Sequence, residues 1–335
     1  MLKSTTKSKV VSVNPAALLR FVGVDTSKDT LDAADTAGRT HSVANDAAGI
    51  RSLVEWVLRT PTALVVVEAT GRLQRKFVAA LHEAGVLVAV VNPRKVRSFA
   101  TASGVLAKTD RIDAKMLADF AARMKPEPTP RPSAAQLVLE DLVTARLALV
   151  KEKVTLGALL RELQGPDALK ALKGALHAVV RQIEKLDQAL VDHVDSDKEL
   201  KRKAELLDSV PGVGKVLAAG LLAELPELGT LDRRRIASLA GLAPIAHESG
   251  KFKAKRCIGG GREGARSMLY MAALTARKGD PVLEAHSERL LLKNGSRKKL
   301  VVIAVARHLL TILNAVLRSG KSWEVRPVPA TCAAV

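Results

Sequence analysis

The sequence predicts an α/β domain followed by a mainly helical second half, and three observations support this. Short apolar runs alternate with stretches of helical periodicity up to residue 125. Four prolines within 126–132 then interrupt the chain. Beyond them, apolar residues recur at three- and four-residue steps. We therefore divide the chain into 1–125, a helical segment 126–204, a segment of helices and glycine turns 205–323, and a tail 324–335.

The first segment contains short strands and helices in a recognisable order. Residues 21–26 form an apolar run, and alternating patterns predict two further strands, joined by a turn at Ala37-Gly38. The remaining elements are a helix capped by Asp46, a strand at 62–68, a helix at 72–84 and a strand at 86–91. Three strands in hairpin succession, followed by helix, strand, helix and strand, are typical of the ribonuclease-H-like fold.

The middle and last segments are predicted to be helical. Residues 134–164 and 168–204 read as two long, coiled-coil-like helices that pack on each other or on a second subunit. A Pro-Gly-Val-Gly turn within 206–225 resembles a helix-hairpin-helix element, in which Gly212, Gly214 and Lys215 would meet a phosphate. A plain helical hairpin explains the same pattern. A strongly apolar helix at 299–318 precedes the tail.

The charge distribution predicts a polyanionic partner. The chain carries a formal charge of +19, and basic residues outnumber acidic ones 19 to 11 in 1–125 and 20 to 10 in 205–323, but only 13 to 12 in between. Nucleic acid suits such basic ends because bound cations release the counterions of the phosphates. Eight aromatic residues leave little material for base stacking. We therefore expect the protein to contact the sugar-phosphate backbone and to recognise the shape of the nucleic acid.

The same composition argues against a membrane or secreted protein. No apolar run approaches the ~20 residues of a spanning helix. Cys257 and Cys332 are too few for a disulfide framework or a zinc cluster, and no signal peptide is visible. We expect a reducing, cytoplasmic compartment.

Four acidic residues are candidates for a metal site. Asp25 ends the first predicted strand and Glu68 ends the fourth, so their carboxylates would share one edge of the sheet if the two strands pair. Asp110 and Asp113 lie three apart at the start of a predicted helix and project from one face. Converging carboxylates favour Mg²⁺ or Mn²⁺, the ions suited to oxygen ligands. Taken singly, Asp110 is more often a helix N-cap and Asp113 a first-turn acid.

A basic stretch follows Ser249-Gly250 in the last segment. It contains Lys251, Lys253, Lys255, Arg256, Arg262 and Arg266. The three glycines at 259–261 would let the backbone approach a phosphate chain. Cations of this kind can hold a phosphodiester and stabilise its transition state during attack by a hydroxyl. On chemistry alone, Ser249 is more often a phosphate contact or a turn residue.

These blocks together resemble a known family. FVGVDTSKDTLDAA, VVVEATG and KTDRIDAKMLADFA look like the three acidic blocks of the DEDD transposases of the insertion-sequence family one-ten, which also contains the Piv-type invertases. The front domain of that family is similar to the junction resolvase RuvC. The run GLAP, then Ser-Gly, a basic stretch and a glycine-rich turn looks like the family's C-terminal block. His247 and Glu248 depart from many relatives and leave the identity of a local base open.

The resemblance implies roles for individual residues. Asp25, Glu68, Asp110 and Asp113 would bind the metal ions, and Ser249 would attack DNA. It further implies donor and target DNA as substrates and a structured bridge RNA as guide. We expect a homodimer or homotetramer in which the carboxylates of one subunit meet the serine of another.

Three other functions remain open from the sequence. A RuvC-like junction nuclease would need the acidic residues only, and a non-catalytic helix-hairpin-helix protein would need neither site. GVDTSKD also resembles the phosphate-binding hairpin of sugar-kinase-like ATPases, although no second glycine-rich phosphate loop is evident.

Overall fold

The structure, a computed structural model, describes residues 19–105, 110–246, 248–249, 252–253, 256–295 and 297–324. Contacts divide the chain into two compact units, Met1–Arg131 and Pro132–Val335. The division falls within the proline-rich stretch, where repeated loss of the backbone N–H prevents a helix from continuing.

The first unit is built on a five-stranded mixed sheet. Its elements are β1 (Arg20–Thr26), β2 (Thr30–Asp35), β3 (Thr40–Ala44), α1 (Ala47–Leu58), β4 (Thr62–Glu68), α2 (Arg75–Glu83), β5 (Val88–Val91), α3 (Pro93–Ala102) and α4 (Asp110–Met124). The strand order is β3-β2-β1-β4-β5. β1 pairs antiparallel with β2 and parallel with β4, and β5 is parallel to β4. The predicted succession of three antiparallel strands, helix, strand, helix and strand is confirmed.

Helices cover both faces of this sheet. Val22 and Val24 of β1 lie in an apolar cluster with Leu53 of α1 and Phe77 of α2. Phe21 points to the opposite face, where Leu64 and Val66 of β4 lie in a second cluster with residues of α3 and α4. Strands covered on both faces read as continuous apolar runs, which is why β1 and β4 were detectable in the sequence.

Two helices of the first unit differ from expectation. The helix predicted at 72–84 begins only at Arg75, because Gly71 and Arg72 have φ values of +51° and +80°, which an α-helix cannot contain. α3 was not predicted. The sequence nevertheless contains a helix start signal. Asn92 caps α3 by accepting a hydrogen bond from the Arg94 N–H, and Pro93 occupies the first helical position.

A buried ion pair ties β1 to β2. The Arg20 guanidinium donates to the Asp35 carboxylate at 3.0 Å, and both side chains are at most 5% exposed. Arg20 also donates to the Val57 carbonyl at the end of α1 and lies 4.4 Å from the ring centroid of Trp56. Burial alone would raise the pKa of Asp35, but hydrogen bonds from Arg39 and Arg20 outweigh this effect and lower the pKa.

The second unit is mainly helical. Its helices are α5 (Ala134–Leu159), α6 (Pro166–Ser196), α7 (Lys198–Asp208), α8 (Lys215–Glu224), α9 (Arg233–Leu239), α10 (Glu263–Gly279), α11 (Pro281–Asn294) and α12 (Lys298–Ser319). The helix predicted at 168–204 is interrupted at Asp197, whose backbone is extended. The Asp197 carboxylate accepts from the Glu199 and Leu200 N–H groups and thereby caps a new helix, α7.

One apolar core runs through the second unit. Leu139 and Val143 of α5 and Leu190 and Val194 of α6 belong to the same cluster as residues of α8, α10 and α12. The near ends of the two long helices therefore pack with the helices beyond residue 204, inside one compact unit. The far ends carry exposed apolar residues, among them Val154 at 67% exposure.

α12 lies at the centre of this core. Among the described helices, α12 is long and apolar enough to cross a membrane by length and composition, so the expectation that no apolar run approaches this length is wrong. Many of its apolar residues are buried in this core, and Val305, Leu309 and Leu313 are fully buried there. The apolar character of α12 is therefore accounted for by packing inside the second unit.

We expect Asp35→Asn to destabilise the first unit by about 3–5 kcal/mol at pH 7, because it leaves the buried Arg20 without its counter-charge. The unfolding of this unit can be followed by the fluorescence of Trp56 in a Trp323→Phe background. Since the folded pKa of Asp35 lies below its unfolded value, its stabilisation is present above pH ~4 and is lost as pH falls through the folded pKa.

The difference between wild type and variant should therefore shrink below pH ~4. Asp29→Asn, at an exposed position, is the control and should change stability by less than about 0.5 kcal/mol. An equal effect of the two substitutions would contradict the role assigned to the ion pair.

Candidate active site

The sheet register places Asp25 and Glu68 side by side. Val24 of β1 is the parallel partner of Val67 of β4, and the two acids are the next residues along these strands. Both alternate with residues that face α4, namely Phe21 and Gly23 on β1 and Leu64 and Val66 on β4. Both acids are half-buried. Two carboxylates therefore lie at one edge of the sheet and on the face that α4 covers.

α4 approaches this face at Gly23. A Cβ at this position would lie 2.3 Å from the Ala114 carbonyl oxygen and 2.3 Å from the Ala118 nitrogen, so only glycine permits the contact. Asp113 directly precedes Ala114 in the first turn of α4 and is half-buried. Phe120, further along α4, belongs to the cluster of Phe21 near the start of β1. α4 thus begins over the edge that holds Asp25 and Glu68.

The described side chains do not complete a metal centre. Among the residues that the structure describes, no group of three or more His, Cys, Asp or Glu side chains is arranged to hold an ion. The side chain of Asp110 lies outside the described part of the chain. Asp25 accepts a hydrogen bond from the Thr26 N–H at 2.9 Å. The ligand roles of the four acids stay predictions.

A fifth acid lies next to this group and was missed in the sequence. Asp32 of β2 is the antiparallel register partner of Asp25, so its side chain emerges on the same face of the sheet. Its carboxylate accepts a hydrogen bond from the Thr30 hydroxyl at 3.1 Å. The alternation of the second strand could have revealed it, since Asp32 breaks the apolar pattern directly opposite Asp25.

The predicted nucleophile lies in a β-hairpin of the second unit. β6 (Pro244–Ile245) pairs with β9 (Cys257–Ile258), and further out β7 (Glu248–Ser249) pairs with β8 (Phe252–Lys253). Ser249 is the register partner of Phe252 and therefore lies at the tip of the hairpin. These strands were not predicted. His247, Gly250, Lys251 and Lys255 lie outside the described residues, as do the side chains of Ser249 and Lys253.

The base of the hairpin is fixed by backbone packing. Gly261 has a φ of +65°, and a Cβ on it would lie 2.2 Å from the Gly241 nitrogen. Gly241 itself has a φ of +69° and packs against the Gly260 carbonyl. The sequence suggested Gly260 and Gly261 for a phosphate contact. In the structure, both pack against the backbone of Gly241.

Two of the predicted phosphate-binding arginines have internal partners. Arg262 donates through both terminal nitrogens to the Glu227 carboxylate, at 2.7 Å for the Nη2–Oε1 pair, and to the Glu224 carbonyl at 2.8 Å. Arg266 donates to the Gly260 carbonyl at 2.6 Å. Arg256 is exposed. Local sequence patterns carry no signal for the Arg262–Glu227 pair because 35 residues separate its members.

The Pro-Gly-Val-Gly turn joins α7 to α8 as predicted. Gly212 has a φ of +86°, and a Cβ there would lie 2.7 Å from the Ala276 backbone of α10. Gly212 therefore packs against α10 on one side, although the residue is exposed. Gly214 precedes α8 without a capping side chain, has open space around its Cα and is followed by the exposed Lys215. The N–H groups of this helix start are suited to an anion.

Comparison with known proteins now identifies the chain's relatives. A family model described as Transposase, that of the DEDD transposases of IS110, matches residues 22–164. A second, described as Transposase IS116/IS110/IS902 family, matches residues 204–288. Together they match more than half of the chain. The chain belongs to the IS110-type transposase family.

Individual relatives agree with this assignment. This transposase is 29% identical to the pilin gene-inverting protein of Moraxella bovis, over 91% of this chain and 98% of that protein. It is 27% identical to the insertion element IS116 uncharacterized 44.8 kDa protein of Streptomyces clavuligerus, over 92% of this chain and 96% of that protein. It is therefore an enzyme, a DNA transposase or recombinase.

A structural similarity was also found with RuvC of T. thermophilus, solved in complex with a Holliday junction substrate. It has a TM-score of 0.26 and 18% identity and covers 33% of this chain and 99% of that one.

We expect Gly261→Ala to destabilise the second unit by at least about 2 kcal/mol, because the added Cβ meets the Gly241 backbone and the residue has a positive φ. Trp323 fluorescence in a Trp56→Phe background measures the unfolding. Gly259→Ala is the matched control, since the nearest atom to its Cβ would be the Ile245 Cδ1 at 3.6 Å. A loss of DNA binding at unchanged stability in Gly261→Ala would instead support a direct phosphate contact.

Proposed function

We propose that this transposase cuts and rejoins the DNA strands of an insertion sequence, with a divalent-metal site on the first unit and Ser249 as the nucleophile on the second. The observation that carries the proposal is the register of β1 and β4, which sets Asp25 beside Glu68 under the start of α4. Two acids that are distant in the sequence thus lie side by side, which supports a metal-dependent phosphoryl-transfer site at this edge.

The donor chemistry at this edge fits Mg²⁺ or Mn²⁺. Carboxylate oxygens are the ligands these hard cations prefer, and no sulfur or imidazole donor belongs to the set. Asp25, Glu68, Asp110 and Asp113 would hold the metal. Bound there, divalent cations would stabilise the charge on the attacking and leaving oxygens of a phosphodiester. Asp32, on the same face, adds negative charge that favours cation binding.

Ser249 is proposed to form a covalent link to DNA. Its hydroxyl oxygen bonds to phosphorus, its proton passes to a base or to water, and the bond from phosphorus to one DNA oxygen breaks as that oxygen gains a proton. A DNA hydroxyl later attacks the phosphoserine, and the serine regains its proton. The number of phosphodiester bonds is conserved, so that no external energy source is needed. The hairpin tip presents this serine at the outer end of two paired strands.

Basic groups of the second unit are proposed to hold the DNA. They are Lys251, Lys253, Lys255, Arg256, Arg262 and Arg266 of the hairpin region and Gly212, Gly214 and Lys215 at the start of α8. Of these, the α8 start has the best structural support, because its N–H groups lack a capping side chain and Lys215 is exposed. To contact DNA as well, Arg262 and Arg266 would have to divide their hydrogen bonds between DNA and their partners inside the protein.

A guide RNA and an assembly of several copies complete the proposal. The charge of +19 is compatible with RNA and with donor and target DNA in a nucleoid-associated, cytoplasmic complex. Apolar residues exposed towards the end of α5 and just beyond it, Val154, Leu159 and Leu163, support a homodimer or homotetramer through the long helices.

A site-specific invertase is the second candidate. Its specific support is the relative of Moraxella bovis named as a pilin gene-inverting protein, which aligns over 98% of its own length. Inversion and transposition use the same cutting and joining chemistry, so the two candidates differ in the DNA sites that are joined.

We expect Ser249→Ala to abolish a covalent protein–DNA adduct while DNA binding is retained. Wild type is incubated with Mg²⁺, element-end DNA and co-purified RNA, and adducts are resolved on a denaturing gel. Ser267→Ala, at an exposed position of α10, is the control and should keep full adduct formation. Glu68→Gln should lose the adduct and all strand cutting.

The variants also separate the rival functions. Cutting by Ser249→Ala at the wild-type rate would reject the serine and favour a nuclease that uses water. Full activity of Glu68→Gln would reject the metal site.

We expect Val154→Glu/Leu163→Glu to shift the protein to a smaller assembly, because the added charges cannot be buried in an apolar contact. Light scattering after size-exclusion chromatography gives the mass. Leu292→Glu, at 85% exposure on α11, is the control and should leave the mass unchanged. If Val154→Glu/Leu163→Glu keeps the wild-type mass, the end of α5 and the segment just beyond it do not carry the assembly.

A further inference from the structure

The outer face of α3 is strongly basic and lies beside the proposed metal site. Arg94, Lys95 and Arg97 are exposed on this short helix. No acidic residue occurs anywhere in 84–109. In the described part of the chain, none of the three forms an ion pair, whereas Arg20, Arg39 and Arg131 of the first unit each pair with a carboxylate. Most exposed faces of soluble proteins mix both signs of charge.

Packing fixes the orientation of this face. Val96 and Ala100 are buried in the cluster between α3, α4 and the sheet, and the Phe99 ring meets the Phe120 ring edge-on at 5.5 Å. The apolar stripe of α3 therefore points inward. The cations occupy the opposite side and cannot turn towards the protein without breaking this packing.

The sheet register fixes the position of the same face. Val91 of β5 is the parallel partner of Glu68, and α3 begins two residues later, at Pro93. The start of α3 thus lies at the edge of the sheet that holds Glu68. Arg94, Lys95 and Arg97 all lie in the first turn and a half, where the helix dipole adds to their positive potential.

We propose that Arg94, Lys95 and Arg97 form a docking face for the DNA strand whose phosphodiester enters the Glu68 edge. The cations contact phosphates flanking the reacting one and so position it, without reading sequence. Few aromatic side chains are available for stacking, so ionic contacts to the backbone are the main source of affinity at this face. The choice of DNA as the polyanion rests on the proposed function.

The test is a salt titration of DNA binding by the full chain. Fluorescence anisotropy measures the affinity for a labelled DNA duplex, in EDTA, at several salt concentrations. Each phosphate contact contributes about 0.9 to the slope of log affinity against log salt. Arg94→Gln/Arg97→Gln should reduce the slope by about 1.8, and should weaken binding by more than about tenfold near 0.1 M salt.

Two further variants make the result specific. Arg51→Gln/Arg59→Gln removes the same charge from exposed positions at α1, on the other face of the sheet, and should leave the slope unchanged. Arg94→Lys/Arg97→Lys keeps the charge and should restore the wild-type slope. An unchanged slope in the glutamine variant, an equal loss in the α1 control, or a loss seen with an RNA duplex but not with DNA would overturn the proposal.

Because the titration needs neither metal nor nucleophile, it is independent of the adduct assay. A reduced slope in Arg94→Gln/Arg97→Gln, together with no covalent adduct in the wild type, would support the docking face and reject the proposed chemistry. An unchanged slope in that variant, together with a wild-type adduct that Ser249→Ala loses, would retain the proposed chemistry and reject the docking face.

Discussion

The close packing of α4 on β1 is the constraint on which the candidate site depends. Gly23 brings the backbone of α4 into contact with the strand, and this contact sets the first turn of the helix over the sheet edge. A side chain at this position would push the helix away by the width of a methyl group or more. The distance between acids on β1, β4 and α4 is therefore governed by a residue that has no functional group of its own.

The Arg20–Asp35 pair has a comparable role on the opposite side of the sheet. It joins the first two strands and the end of α1 through one guanidinium. Buried ion pairs add less stability than apolar contacts of the same size, but a broken one is costly. The pair fits the observed register of β1 and β2, and this register sets Asp32 opposite Asp25. The arrangement of the acids follows from structural residues at some distance from them.

The two halves of the molecule were predictable to different degrees. Apolar runs located β1, β4 and β5, because buried strands leave a strong local signal, and alternation located β2 and β3. The hairpin around Ser249 was missed, since pairs of two residues carry almost no periodicity. The structural roles of Arg262 and Gly261 were also missed, because their partners Glu227 and Gly241 are distant in sequence. The sequence pattern around a basic loop residue is the same whether that residue binds DNA or a carboxylate of its own chain.

The anchored base of the hairpin has a consequence for the energetics of ligand binding. The backbones of Gly241 and Gly261 are in close contact, and Arg262 next to them donates hydrogen bonds to Glu227. Conformational freedom that is already lost on folding does not have to be given up again when a ligand arrives. A ligand that binds beside the base of the hairpin would therefore lose little of its binding free energy to ordering this part of the chain.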